Sequence, residues 1–147
     1  MSTPVWWDEL MQVSEVLAAA DRAEVTWWRG APCVDSDGSS HVPDEDDVPP
    51  LTVRLGSLGT VFAERAGEIT PVQCRQVLGL LERVQTHGSE YDGTAVATGF
   101  FEALLNEWDK GFDLRSIWDH VGPESRAYCV AWNDFNGVSS PDWMRQP

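Results

Sequence analysis

Lysine is almost missing from this chain: Lys110 stands alone beside nine arginines, while 24 acidic residues bring the formal charge to -14. No basic stripe exists to follow a phosphate backbone, and an anionic membrane surface would repel such a chain. Neither nucleic acid nor membrane is therefore an expected partner. Long apolar runs are missing too, and no stretch reaches the roughly eighteen residues that mark a membrane-spanning helix. The first residues lack the basic start and apolar run of a secretory signal, so a reducing cytoplasm is the expected location. The phosphate-cradling pattern Gly-x-x-x-x-Gly-Lys is absent as well.

Cysteine and histidine are scarce. Cys33, Cys74 and Cys129 are odd in number and far apart, which fits neither a disulfide framework nor a zinc site. Cys74 and Cys129 fall on apolar faces of expected helices and read as small core residues. None of His41, His87 and His120 lies in a nucleophile motif. His87 and His120 fall in the last turns of expected helices, where imidazole complements the helix dipole, and His41 reads as solvated. The spacings His-Glu-x-x-His and Glu-x-x-His do not occur. Asp35-Ser36-Asp37-Gly38 looks like the opening of a calcium loop, but the next oxygen ligand and the closing glutamate are out of register. Glu64, Glu68 and Glu102 are conceivable as an acid and base, yet helix surfaces carry such residues routinely. The expectation is a non-enzyme without cofactor, metal ligand or catalytic residue.

What the chain does contain is concentrated acid and tryptophan. Its 147 residues are 42% hydrophobic and 23% charged, an ordinary globular balance. One helical domain over 1–147 is expected, long enough to bury roughly 68–70% of its unfolded surface. Residues 1–48 hold eleven acids against Arg22 and Arg29, whereas residues 49–147 hold thirteen acids against eight bases. Six of the acids, Asp35, Asp37, Asp44, Glu45, Asp46 and Asp47, fall in one stretch with no lysine or arginine among them. Two tryptophan pairs, Trp6-Trp7 and Trp27-Trp28, precede that stretch. Consecutive helical positions diverge by about 100°, so the two members of a pair cannot share one buried face.

Apolar spacing gives the elements. Thr3-Pro4 opens a first helix with Trp6, Leu10, Val13, Val16, Leu17 and Ala20 on one face, ending near Ala23. Val25-Thr26-Trp27-Trp28 reads as either a short strand or an aromatic anchor, and a long acidic loop occupies about 30–50. A second helix covers roughly Pro50 to Ala66 through Leu51, Leu55, Leu58 and Phe62, with Gly56 and Gly59 marking close approach or a bend. Thr70-Pro71 starts a third, carrying Val72, Val77, Leu78, Leu81 and Val84 and stopped by Gly88. Ser89 or Asp92 caps a fourth, whose wide stripe of Val96, Phe100, Phe101, Leu104, Leu105 and Trp108 makes it central. Asp113 begins a short fifth helix with Leu114, Ile117, Trp118 and Val121. Pro123 opens a sixth, carrying Ala127, Tyr128, Ala131, Trp132 and Phe135, and Trp143 in the tail packs back. The fold class is all-α, a compact array of five to six helices with one minor strand near 25–28 as an option.

The runs Gly99-Phe100-Phe101-Glu102-Ala103-Leu104-Leu105-Asn106 and Val121-Gly122-Pro123-Glu124-Ser125 resemble small helical bacterial proteins that serve as immunity partners of secreted polymorphic toxins. The resemblance covers about residues 70–136, leaves out the acidic stretch and transfers no binding residue. It implies an immunity protein that binds a cognate toxin and occludes its active site or substrate groove. The charge points the same way, because carboxylates steer a basic protein surface and tryptophan anchors it. Asp35, Asp37, Asp44, Glu45, Asp46, Asp47, Trp27 and Trp28 are the expected partner-binding residues. A chaperone or adaptor that leaves its effector active is the alternative, followed by an enzyme of unrecognised type.

Overall fold

Ser14 divides what the apolar spacing presents as one N-terminal helix. The computed structural model describes residues 3–30 and 47–145, and α1 (Val5–Val13) stops where Ser14 turns extended. The Ser14 hydroxyl then accepts the Leu17 amide and starts α2 (Glu15–Arg29), as an N-cap does. The option of a strand at 25–28 is overturned, since those residues form the last turns of α2. Their β-branched and aromatic side chains have no neighbouring strand to pair with. Each residue added to a helix already nucleated upstream gains a backbone hydrogen bond. Gly30, at φ 72°, ends the helix by returning its amide to the Trp27 carbonyl.

The remaining elements are α3 (Leu51–Glu64), α4 (Pro71–His87), α5 (Glu90–Ala95), α6 (Glu102–Asp109), α7 (Pro123–Phe135) and α8 (Asp142–Arg145). A π-helical turn, Val96–Phe101, joins α5 to α6 without a break, and its ladder is visible in the Glu102 amide reaching the Ala97 carbonyl five residues back. Short 3₁₀ turns occupy Ala66–Glu68 and Leu114–His120. Among the described residues the eight helices make an all-α fold, and no strand occurs. No helix among them is long and apolar enough to cross a membrane.

Two packing devices hold the centre. The backbone of α3 lies directly against the π-helical turn because glycine faces it from both sides. A methyl group at Gly59 would stand 2.5 Å from the Phe100 carbonyl oxygen, and one at Gly99 would stand 2.6 Å from that of Thr52. Across this contact Leu55, Leu58 and Phe62 meet Phe100 and Phe101, all of them buried. The second device joins α4 to α7. Gly122 supplies no side-chain cap, and the Glu82 carboxylate of α4 takes that role from 42 and 43 residues away. It accepts the amides of Glu124 (2.8 Å) and Ser125 (2.9 Å) and the Ser125 hydroxyl (2.7 Å). An anion at a helix N-terminus satisfies orphan donors and the dipole together.

Several stripe assignments are confirmed and three are corrected. The apolar face of α3, the Val77–Val84 stripe of α4, and Val96 to Leu105 are buried as the spacing requires. Thr70 forms a full capping box with Gln73, and Ser89 caps α5. Cys74 and Cys129 are buried free thiols, and burial pushes Cys129 up to about 12. In α1, however, Trp7 rather than Trp6 is the ring in the core, 2% exposed. Val72 is exposed at the start of α4. The inward face of α7 is Ser125, Cys129 and Asn133, so Tyr128, Trp132 and Phe135 form a stacked ladder along its edge, ending with Phe135 at 83% exposure. Trp143 of α8 does pack back, edge-on to Trp108 and Trp118.

Candidate functional site

The C-terminal end of α2 overshoots the core. Leu17, Ala18 and Asp21 hold its first half inside, and beyond them nothing draws the helix inward. Trp27 is consequently 77% exposed and Trp28 44% exposed. Asp47 meets the helix at this point: its carboxylate accepts the Trp28 indole N–H at 3.1 Å, and its backbone carbonyl accepts Arg29 Nε at 2.9 Å. The last acid of the acidic stretch is thus fixed to one of the tryptophans expected to act with it. Asp35, Asp37, Asp44, Glu45 and Asp46 lie outside the described residues, as do Cys33 and His41.

From Asp47 the chain passes through Pro49 and Pro50 into α3, bringing Arg54 beneath the bracket. Arg54 is 6% exposed, and its charge is matched by Asp21, with Nε to Oδ1 at 3.0 Å and Nη2 to Oδ2 at 2.6 Å. Nη1 donates to the Thr3 hydroxyl at 3.2 Å. The guanidinium lies 4.5 Å from the centre of the Trp7 ring, whose own N–H donates to Asp21 at 3.3 Å. Such bidentate, ring-stacked geometry is specific to arginine. Over this floor opens a pocket of about 510 Å³, walled by Trp28, Pro49, Leu51, Tyr91 and Asp92. Asp92 also accepts the indole N–H of Trp6 in α1 at 2.9 Å, and Thr3 and Pro4 ahead of α1 join residues of α2, α3 and α5 in the rim or floor. On the other side of α2 a broader hollow runs past Trp27, Val53, Gly56, Thr60 and Val61.

No family model, curated protein or solved structure matches the chain. Function must therefore be argued from these side chains.

The other groups weighed from the sequence that fall among the described residues have partners or positions of their own. Glu68 is gripped by Arg65 at 2.6 and 2.8 Å, and that hydrogen bond holds its carboxyl below the usual range. Glu102 is pushed up by burial and shares a hydrogen bond with Tyr128, so it is engaged away from Glu68. His87 and His120 stand in the last turns of their helices. Among the described residues no group of three His, Cys, Asp or Glu side chains is placed to hold a metal ion.

Arg54, its partner Asp21, Tyr91 and Asp92 escaped the sequence reading as site residues. Arg54 carried a signal: it lies three residues after Leu51 and four before Leu58, on an apolar stripe where a charge demands a buried partner. Tyr91 carried none, because a single tyrosine in a polar first turn has no distinguishing pattern.

Proposed function

We propose that this chain is a protein-binding module of the immunity type, which docks on a protein toxin with a basic surface and covers its active site or substrate groove. The observation that carries the reading is the Trp28–Asp47 bracket beside an open Trp27 ring. Large aromatic rings held in place next to carboxylates suit an interface, because the ring anchors while the charge steers. A formal charge of -14, most of it in the first third of the chain, restricts that steering to cationic partners. The resemblance of residues 70–136 to immunity proteins supports the choice of a toxin as the partner class.

The test uses a basic protein recovered on the immobilised full-length chain from its native cells. Expressed alone, this partner should halt growth, and co-expression of the chain should restore it. Trp27→Ala should weaken the complex about thirtyfold or more, as truncation of an anchoring tryptophan does. Exchanging Asp35, Asp37, Asp44, Glu45, Asp46 and Asp47 for their amides should slow association and flatten its salt dependence. A partner that keeps full activity inside the complex would make the chain an adaptor and end the immunity reading.

A further inference from the structure

The pocket beside the bracket has a composition of its own. Its walls include two aromatic rings, Trp28 and Tyr91, together with Pro4, Pro49 and Pro50. Its volume, about 510 Å³, lies within the range that encloses a small ligand or a long side chain. Among the described residues the one cation in its lining, Arg54, is already neutralised by Asp21. The one anion in the lining among the described residues, Asp92, is not. Its Oδ2 takes the Trp6 N–H, and among the described residues its Oδ1 receives no donor and no cation is paired with it. Aromatic faces, apolar proline walls and one uncompensated carboxylate describe a receptor for an organic cation with an apolar stem.

We infer that this pocket receives an arginine side chain of the basic protein partner. Within it the guanidinium donates to Asp92 and lies against Trp28 or Tyr91, while the methylene stem packs on the prolines. Arginine is favoured over lysine because its planar, weakly hydrated head both stacks on a ring and donates to a carboxylate. The role of the Asp47 hydrogen bond is then positional, since it fixes the Trp28 indole at the pocket rim. The inference rests on the reading of the chain as a binder of a basic protein, and it adds which chemical group is read and where.

The decisive measurement needs no partner. Capped arginine (Nα-acetyl-arginine methylamide) is titrated into the full-length, indole-labelled protein, with capped citrulline as the uncharged isostere and capped lysine as the second cation. Arginine should bind in the millimolar range, a ceiling set by its size, and should shift the Trp28 and Trp6 indole resonances. Lysine should bind more weakly, and citrulline should leave the spectrum unchanged. Asp92→Asn should cost about tenfold, the worth of one charge-assisted hydrogen bond. Tyr91→Ala, at an exposed residue the fold does not need, should also weaken binding. Trp27 does not line this pocket, so Trp27→Ala should leave arginine binding intact while weakening the partner complex. Equal response to arginine and citrulline, or shifts confined to other indoles, would overturn the assignment. An active partner in the complex would instead overturn only the immunity reading.

Discussion

Gly59 and Gly79 both sit inside long helices, so replacing either by alanine recovers the same backbone term, about 1 kcal/mol. What differs is the space around them. At Gly79 a new methyl group meets nothing within 4 Å, and the gain should appear in full. At Gly59 it would stand 2.5 Å from the Phe100 carbonyl oxygen, 3.3 Å from the carbon of that carbonyl and 3.1 Å from the Ala103 methyl. Two of these three atoms are helix backbone and cannot swing aside, which places the overpacking cost at or above the upper end of the usual 1–3 kcal/mol. The net change at Gly59 is then a loss of about 2 kcal/mol. For a chain of this length each kcal/mol moves the melting temperature by about 3 °C. Calorimetry should therefore find Gly79→Ala about 3 °C above the parent and Gly59→Ala about 6 °C below it. A Gly59→Ala protein that melts at or above the parent temperature would show that α3 and the π-helical turn are not in direct backbone contact, and the packing argument would fall with it.

Asp21→Asn leaves the Arg54 guanidinium buried without its counter-charge and should cost about 3–5 kcal/mol in urea unfolding. Replacing both partners by apolar residues (Asp21→Leu with Arg54→Met) should cost less than the single change, because no charge is left to desolvate; a single change costing under about 1 kcal/mol would refute the burial of the pair. Tyr128 is pushed up to about 12, by burial first and then by the Glu102 charge and hydrogen bond. Because the native state holds this proton longer than the unfolded chain, the contribution is complete below pH 10 and drains away as pH rises towards 12. Ultraviolet titration in a Tyr91→Phe background should show the late tyrosinate, and Tyr128→Phe should flatten the alkaline fall in stability.

Legibility in the sequence followed the range of the interactions. Where a helix begins on its own neighbours, as at Thr70 with Gln73 or Ser89 with Asp92, four residues of sequence contain the whole cause and the start could be read. Uninterrupted apolar stripes, such as Leu51 to Phe62, were equally plain. Ser14 is a good cap whose signal was outweighed by apolar residues that keep helical phase across it. The α7 face was misread because its inward residues are Ser125, Cys129 and Asn133, two of which earn burial through hydrogen bonds to Gln85, Glu82 and Ser140. Of the candidate site, the tryptophan pair and its acid were visible as composition. The pocket was not, because the residues ahead of α1 and those of α2, α3 and α5 meet there only in three dimensions.

The Glu82 carboxylate carries an implication for how the chain acquires its shape. Helix α7 borrows its first hydrogen bonds from a residue synthesised about forty positions earlier, so the information for its start is stored in another helix. A peptide beginning at Gly122 would possess every residue of α7 and still lack the group that initiates it. During synthesis α4 precedes α7, so the Glu82 carboxylate is already present when Gly122 emerges, and α7 should set only as it docks against α4.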